Sequence, residues 1–411
     1  MWKKRKIFAL IINVSVVFIF LSQSLCAGSL HFIAYGDTRR EINTMEKPQV
    51  KHNAIAKVIR EMSPDFILFT GDMVYYNEFV KFLEVINKNF FTGEALPVYP
   101  VIGNHELIFG ERLDKLIKAI RKNIDLLNMP QEDAVFATSI NSDIRSLQNI
   151  YYMEVDSIDE TELKKRSRHV LIKEFKEKLP PAYSAYMEDV LKNSTEGQSW
   201  YSFIKEINGL EIKFIALNSS LPGDDEQFRW FIDELIQFNG PKIIFEHYPP
   251  YSTGFHGCND LLRKDSKASR FRDRYTKVYN DPLNDILLII CGHEHNYQRI
   301  YRIGKAGRMQ LPVYIISGGG GAEIAGPCDC DVTQIPFDDF VGSGITTAYN
   351  FVDISVDYTN DRTLVLNCKV LGLRCDVSEG LPTDDIFEKQ FVKDRLELID
   401  NFTLNWRGKC R

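Results

Sequence analysis

Short apolar runs punctuate this chain, and each ends in a polar turn. Leu30 to Ala34 runs into Gly36-Asp37, Phe66 to Phe69 into Gly71-Asp72, and Pro97 to Ile102 into Gly103-Asn104-His105-Glu106. Further along, Ile212 to Leu217 leads into Asn218, Ile243 to Phe245 into His247, and Ile286 to Ile290 into Gly292-His293-Glu294-His295. Runs this short and this rich in β-formers read as strands. Between the first two, Val50, Ile55, Val58 and Ile59 place apolar residues at helical spacing over 50–61. Strands alternating with helices predict an α/β class with a largely parallel arrangement. In open α/β sheets, sites form beyond the carboxyl ends of the strands, so the polar turn residues are expected along one edge.

Two stretches depart from the alternation. Residues 109–200 are rich in Lys, Glu, Leu and Ile at helical spacing and are broken by Pro180-Pro181. They read as a mostly helical insertion over that edge, either a lid or ordinary surface helices. Its charge run, Lys164-Lys165-Arg166, reads as a solvated helix face. After residue 310, Pro312 to Ser317 reads as a strand followed by Gly318 to Gly321. No P-loop Lys-Ser/Thr follows those glycines, so a tight turn is expected rather than a phosphate cradle. Residues 345–411 form a β-rich segment. Over 350–371 an antiparallel hairpin is expected, with Phe351, Ile354, Val356, Leu364, Leu366 and Val370 inward, and Phe402 and Leu404 mark a further strand.

The N-terminus follows another logic. Lys3, Lys4, Arg5 and Lys6 precede an apolar run from Ile7 to Leu21, and small or polar residues follow through Gly28. This pattern reads as a secretory signal over 1–27, cleaved between Ser24 and Gly28. An uncleaved membrane anchor is the alternative. Leu25 is too bulky for Cys26 to suit a lipoprotein site. In an exported chain, Cys258, Cys328, Cys330, Cys368, Cys375 and Cys410 are compatible with three disulfides, whereas Cys291 ends an apolar run and is expected to be buried. Zinc binding by Cys328-Asp329-Cys330 fits poorly, because one residue separates the thiols. Asn193-Ser194-Thr195 and Asn401-Phe402-Thr403 are glycosylation acceptors only in a host that glycosylates.

With 411 residues, the chain can bury one large core. Its net charge of −6 lacks the basic excess of a general nucleic-acid binder, so no nucleic-acid partner is expected. A membrane is met only through the N-terminal segment if it is not cleaved. Of the eight histidines, His105, His247, His256, His293 and His295 lie within or just after the strand-end turns, while His31, His52 and His169 do not. Five imidazoles gathered with Asp37, Asp72 and Asn104 offer the nitrogen and oxygen donors that suit zinc, iron and manganese.

The series Gly36-Asp37, Gly71-Asp72-Met73-Val74-Tyr75, Gly103-Asn104-His105-Glu106, His247 and Gly292-His293-Glu294-His295 resembles the calcineurin-like metallophosphoesterases, in order and across most of the chain. Tyr75 and the run through Asn296-Tyr297-Gln298-Arg299 look most like the purple acid phosphatase branch. The resemblance implies a catalytic domain over 28–411 built as two packed mixed β-sheets flanked by helices. It also implies two divalent or trivalent ions, iron paired with zinc, manganese or iron. Asp37, Tyr75 and His295 would hold the first, Asn104, His247 and His293 the second, and Asp72 would bridge them. If Tyr75 ligates ferric iron, the protein would be coloured by charge transfer.

His105 and His256 would face the phosphate and leaving group, and a protonated His could donate to the departing oxygen. Where many members of the superfamily have a second histidine, this chain has Arg39. It cannot ligate a metal, and it would grip phosphate or pair with a carboxylate. Tyr251 would either line the pocket or pack beside Pro249 and Pro250, and Tyr76 is the neighbouring alternative for an aromatic role. The implied activity is hydrolysis of phosphate monoesters by a metal-bound hydroxide, acid phosphatase-like, since paired cations neutralise phosphate and acidify water. A phosphodiesterase or nucleotide hydrolase is the alternative on the same scaffold. A surface binding protein with a vestigial metal site ranks below both, since no motif residue is lost.

Overall fold

The structure, a computed structural model, describes residues 29–40, 47–75, 79–107, 158–178, 198–261, 263–304, 308–327, 340–342 and 344–408. Residues 1–28, which carry the expected signal, most of 109–200, Tyr76, Cys328, Cys330 and Cys410 lie outside the described residues.

Successive residues of the first strand, β1 (Leu30–Tyr35), bury opposite faces. Phe32 and Ala34 enter one core, and Ile33 and Tyr35 enter another. Burial on both faces explains why the run is apolar throughout rather than alternating. β1 pairs in parallel with β2 (Phe66–Phe69), which pairs in parallel with β3 (Val98–Pro100). On its other side β1 runs antiparallel to β11 (Ala348–Tyr358), followed by β12 (Thr363–Arg374) and β13 (Glu397–Arg407). The second sheet contains β4 (Tyr201–Ile207), β5 (Leu210–Ala216), β6 (Lys242–Glu246), β7 (Ile286–Cys291), β8 (Tyr297–Ile303), β9 (Met309–Ser317) and β10 (Phe340–Gly342), in the order β10-β8-β9-β7-β6-β5-β4. β5, β6, β7 and β9 are mutually parallel, and the flanking strands are antiparallel. Both sheets are therefore mixed, because hairpins add strands at the edges of parallel centres.

The two sheets share one core, in which Phe32, Phe66, Val352 and Leu366 of the first meet Phe203, Phe214, Phe245 and Ile290 of the second. Outside the first sheet lie α1 (Val50–Met62), α2 (Phe79–Phe90) and, late in the chain, α6 (Asp384–Gln390). Outside the second lie α4 (Asp225–Gln237) and α5 (Lys267–Tyr279). The remaining helix, α3 (Glu160–His169), belongs to the insertion and continues into a π-helical turn, Val170–Lys176. Its Leu163 joins the core outside the first sheet. Among the described residues, no helix is long and apolar enough to cross a membrane.

Three expectations change, and a fourth gains a physical reason. Phe351 faces the outer core beside Phe391, and Val352 takes the inward position, because α6 makes the outer face of this hairpin apolar too. Lys164 and Arg166 are more than a solvated face. Lys164 bridges Asp224 at 3.2 Å and Glu226 at 2.6 Å, and Arg166 donates to Leu107 O at 2.9 Å, which docks the insertion beside the His105 turn. Gly318 to Gly321, expected as a tight turn, bend at Gly320 and Gly321 and lie close against other backbone. A Cβ at Gly320 would strike Gly36 O, and the N–H groups of Gly318 and Gly320 donate to Asn296 O and Gly36 O. Finally, Cys368 and Cys375 carry free thiols. Cys368 points between the sheets and Cys375 packs on the outer core, so the first sheet separates them. Cys291 is buried as expected.

His52 on α1 is buried between Tyr35 Oη at 3.0 Å and Gln49 Oε1 at 2.8 Å. Burial pulls its pKa down to about 3. The folded form holds a neutral ring, while an unfolded chain takes up the proton below about pH 6.5. Its contribution is therefore complete above that pH and is lost as pH falls toward 3, at up to about 1.4 kcal/mol per pH unit. Urea denaturation at pH 7 and pH 5 tests this. His52→Gln, less stable at pH 7, should lose about 2 kcal/mol less than the native chain over that interval. Equal losses would refute the assignment.

Candidate metal centre

The carboxyl ends of β1, β2, β3, β6 and β7 reach the same edge of the stacked sheets, and each ends in a turn that carries a polar side chain. Asp37 follows β1, Asp72 follows β2, Asn104 follows β3, His247 follows β6, and His293 and His295 follow β7. Three of them occupy left-handed backbone: Asp37 at φ 59°, Asp72 at φ 55° and His293 at φ 72°. Non-glycine residues rarely accept that region, and such positions concentrate at functional sites. Here the reversal turns a strand-end side chain back over the sheet edge. Two glycines allow the close approach: a Cβ at Gly103 would fall on Asp72 Oδ1, and one at Gly292 on Asp37 Oδ2.

The turns are clamped by buried carboxylates. Glu106 Oε2 accepts from the N–H groups of Gly103 at 2.7 Å and Asp72 at 3.0 Å, and Oε1 accepts from Met73 at 2.7 Å and Val74 at 3.3 Å. Burial and the charge on Asp72 push Glu106 up to about 8, while these donors pull it back. Both oxygens only accept, which is the geometry of the ionised form. Glu294 holds the loop before His256, accepting from Ser252 Oγ and Gly257 N at 2.6 Å and from His256 N at 3.2 Å.

Hydrogen bonds at the far side of each ring assign the tautomers. His247 Nδ1 donates to Thr70 O at 2.8 Å, His293 Nε2 to Asp260 Oδ2 at 2.7 Å, and His295 Nδ1 to Glu323 O at 2.8 Å. Burial lowers the pKa of all three rings, so each is neutral. Their other nitrogens therefore present lone pairs. His247 Nε2 and His293 Nδ1 lie 3.2 Å apart, and Asn104 Oδ1 lies 2.8 Å from the first and 3.1 Å from the second. Asp72 Oδ1 is 3.3 Å from His247 Nε2. Acceptors converge here with no proton between them, an arrangement that fits a cation.

Asp72 also belongs to a second cluster. Asp37, Asp72 and His295 bring ligand atoms within 4.8 Å of one another, as do Asp72, His247 and His293. His295 Nε2 is 3.7 Å from Asp37 Oδ1. Both oxygens of Asp37 accept from His293 N at 3.0 Å, and burial followed by the charge on Asp72 raises its pKa well above the ordinary range. Nitrogen and carboxylate oxygen in both clusters suit zinc, manganese or iron, so the donors fit the implied ions.

Arg39 lies at the second cluster, almost fully buried. Its Nε is 3.7 Å from Asp72 Oδ2 and its Nη2 is 3.4 Å from His295 Nε2. The Tyr75 ring covers the guanidinium at 5.0 Å and lies 4.9 Å from the His105 ring. His105 Nδ1 donates to Tyr75 O at 3.1 Å, leaving Nε2 3.7 Å from Asp72 Oδ2. The His256 ring lies 4.3 Å from that of His293, tilted by 39°. Burial lowers His105 well below its ordinary value and brings His256 to about 3. Expected as proton donors, both are thus neutral in this state. Tyr251 turns away from the site to pack on Tyr314 and meet Asn280.

Sequence reasoning missed Asp260 and Tyr248. Asp260 stands four residues beyond His256, 3.7 Å from its Nδ1, and also receives His293. The one-turn spacing His256-x-x-x-Asp260 was the available signal. Tyr248 packs edge-on against His293 at 4.6 Å, beside a motif histidine.

This buried centre of oxygen and nitrogen ligand atoms lies at the shared edge of two mixed sheets. Residues 30–297 match the calcineurin-like phosphoesterase family, and the chain belongs to it. Among solved structures, it is similar to a purple acid phosphatase, PPD1, from yellow lupin (Lupinus luteus), with TM-score 0.51 and 14% identity, over 92% of this chain and 54% of that one. This chain thus spans about half the length of that plant protein, and at this identity the likeness concerns the fold. It is also similar to PhoD, with TM-score 0.48 and 12% identity, over 91% of this chain and 69% of that one. No curated protein matches the sequence.

Partners that orient a ligating histidine typically carry about 10- to 100-fold in metal affinity. Asp260→Asn should therefore weaken Zn²⁺ retention by about that range, measured by competition with a chromophoric chelator. Unchanged retention would show that Asp260 does not orient His293.

Proposed function

We propose that the chain is an exported phosphomonoesterase, acid phosphatase-like, acting on small phosphorylated molecules. The observation that carries this reading is the shared carboxylate: Asp72 belongs to both clusters of ligand atoms, with Oδ1 3.3 Å from His247 Nε2 and Oδ2 3.7 Å from Arg39 Nε. Asp72, Asn104, His247 and His293 would hold one ion, and Asp37, Asp72 and His295 the other. When bound, such a pair neutralises phosphate charge and lowers the pKa of water toward ~7.

The residues of the chain supply the rest. Arg39 offers a planar fork to phosphate oxygens. Its positive charge, added to two ions, suits the three unesterified oxygens of a monoester better than the two of a diester. His256 is neutral without ligand, and a neighbouring phosphate dianion raises its affinity for the proton that the leaving oxygen needs. Glu294 fixes the loop that presents it. Export rests on the cationic, apolar and small-residue order of the first 27 residues.

The test uses the chain reconstituted with Zn²⁺ or Mn²⁺ and two chromogenic esters. 4-Nitrophenyl phosphate should exceed bis(4-nitrophenyl) phosphate in kcat/KM by about tenfold or more. Asp72→Ala should lose both ions and fall to the metal-free background. A preference for the diester would replace the monoesterase reading, and full turnover by Asp72→Ala would remove the shared-carboxylate account.

A further inference from the structure

The two ion clusters differ in one respect that the motif order conceals. In the cluster of Asn104, His247 and His293, the converging atoms are all acceptors, and their far sides are occupied by Thr70 O and the Asp260 carboxylate. A carboxylate behind a ligating imidazole strengthens it as a donor. In the cluster of Asp37, Asp72 and His295, the lone pair of His295 Nε2 faces the Arg39 Nη2 N–H at 3.4 Å, and His295 has only a backbone carbonyl, Glu323 O, behind it. The guanidinium also lies beside the Asp72 oxygen on this side, with Nε 3.7 Å from Oδ2. An arginine keeps its charge at every accessible pH. Arg39 is held in place, with its backbone N–H donating to Asp72 O at 3.3 Å and the Tyr75 ring across its guanidinium.

We propose that Arg39 makes the two ion positions unequal. The Asp72–Asn104–His247–His293 position holds its ion in the resting chain, and the Asp37–Asp72–His295 position fills readily only when an oxyanion sits against Arg39. A cation entering the second of these must take the His295 lone pair from an N–H donor and settle beside a fixed positive charge in a water-poor pocket, where like charges repel strongly. An anion paired with the guanidinium offsets that repulsion and competes for its N–H groups. Ion and anion therefore favour each other's binding, and the coupling is reciprocal. A trivalent ion suffers most from that repulsion, so the pocket favours divalent ions, with the Tyr75 ring lying across Arg39. This is the opposite of the ferric tyrosinate that the motif resemblance implies.

The inference rests on the proposed metal centre, but it is read by ion binding rather than by turnover. The full mature chain, stripped with a chelator, is titrated with Mn²⁺ by calorimetry and equilibrium dialysis, with and without inorganic phosphate. The native chain should take up one ion with a second weaker by about tenfold or more, and phosphate should bring the second in. Arg39→Gln, similar in length but neutral, should bind two ions without phosphate, while Arg39→Lys keeps the gap. Thermal melting in chelator checks that each variant folds, and the phosphate dependence of the native chain decides the matter if Arg39→Gln does not. Two equal ions in the native chain, a gap unchanged in Arg39→Gln, or a visible tyrosinate-to-iron band in purified protein would overturn the proposal. Each of these results leaves monoester hydrolysis by the saturated native chain, measured separately, untouched.

Discussion

The site depends on keeping one carboxylate, Asp72, buried and shared between two clusters of ligand atoms. A buried charge is tolerated only when it is paired or satisfied by hydrogen bonds. Asp72 meets that condition through the Arg39 guanidinium, with Nε 3.7 Å from Oδ2, and through the N–H of His105 at 3.1 Å. Its left-handed backbone sets the direction of the side chain, and Glu106 locks that backbone by accepting the N–H groups of Asp72, Met73 and Val74. Gly103 must lack a side chain, because Asp72 occupies the space a Cβ would need. A single electrostatic demand thus accounts for the residue types in two separate turns.

A second layer of acceptors decides what the histidines can do. A neutral imidazole has one donor and one acceptor, and the partner of the donor determines where the acceptor points. Thr70 O, Asp260 and Glu323 O lie outside the centre and take the protons of His247, His293 and His295, so the free lone pairs face inward. Burial reinforces this by disfavouring the charged rings. The centre is organised for cations before any arrives, so little rearrangement is needed on binding. Arg39 is the exception: it places a permanent positive charge inside a pocket otherwise built from acceptors.

Much of the fold could be read from hydrophobic pattern. The apolar runs of β1, β2, β5, β6 and β7 were visible, as were α1 and the C-terminal hairpin, because strands buried on both faces and amphipathic helices leave period and length in the chain. The face of Phe351 was misassigned because the sandwich covers one side of β11 and α6 the other, so both sides are apolar and alternation cannot tell them apart. The free thiols of Cys368 and Cys375 were hidden for a related reason: spacing cannot say that a sheet lies between two residues. At the site, Asp37, Asp72, Asn104, His247, His293 and His295 were legible because each follows its strand at once. Asp260, inside an irregular helical turn, carried only the weak cue of its distance from His256.

The amino-acid sequence by itself determined which side chains stand at strand ends, since local pattern settles where a strand stops and which residues form the turn after it. It also determined that a fixed cation, Arg39, would replace a possible ligand. Only the tertiary structure decided that the ends of strands from two separate sheets meet, and that Arg39 turns toward His295 and Asp72. Those outcomes come from how the sheets stack and which turns touch, and contacts between residues as far as 256 positions apart leave no period in the chain.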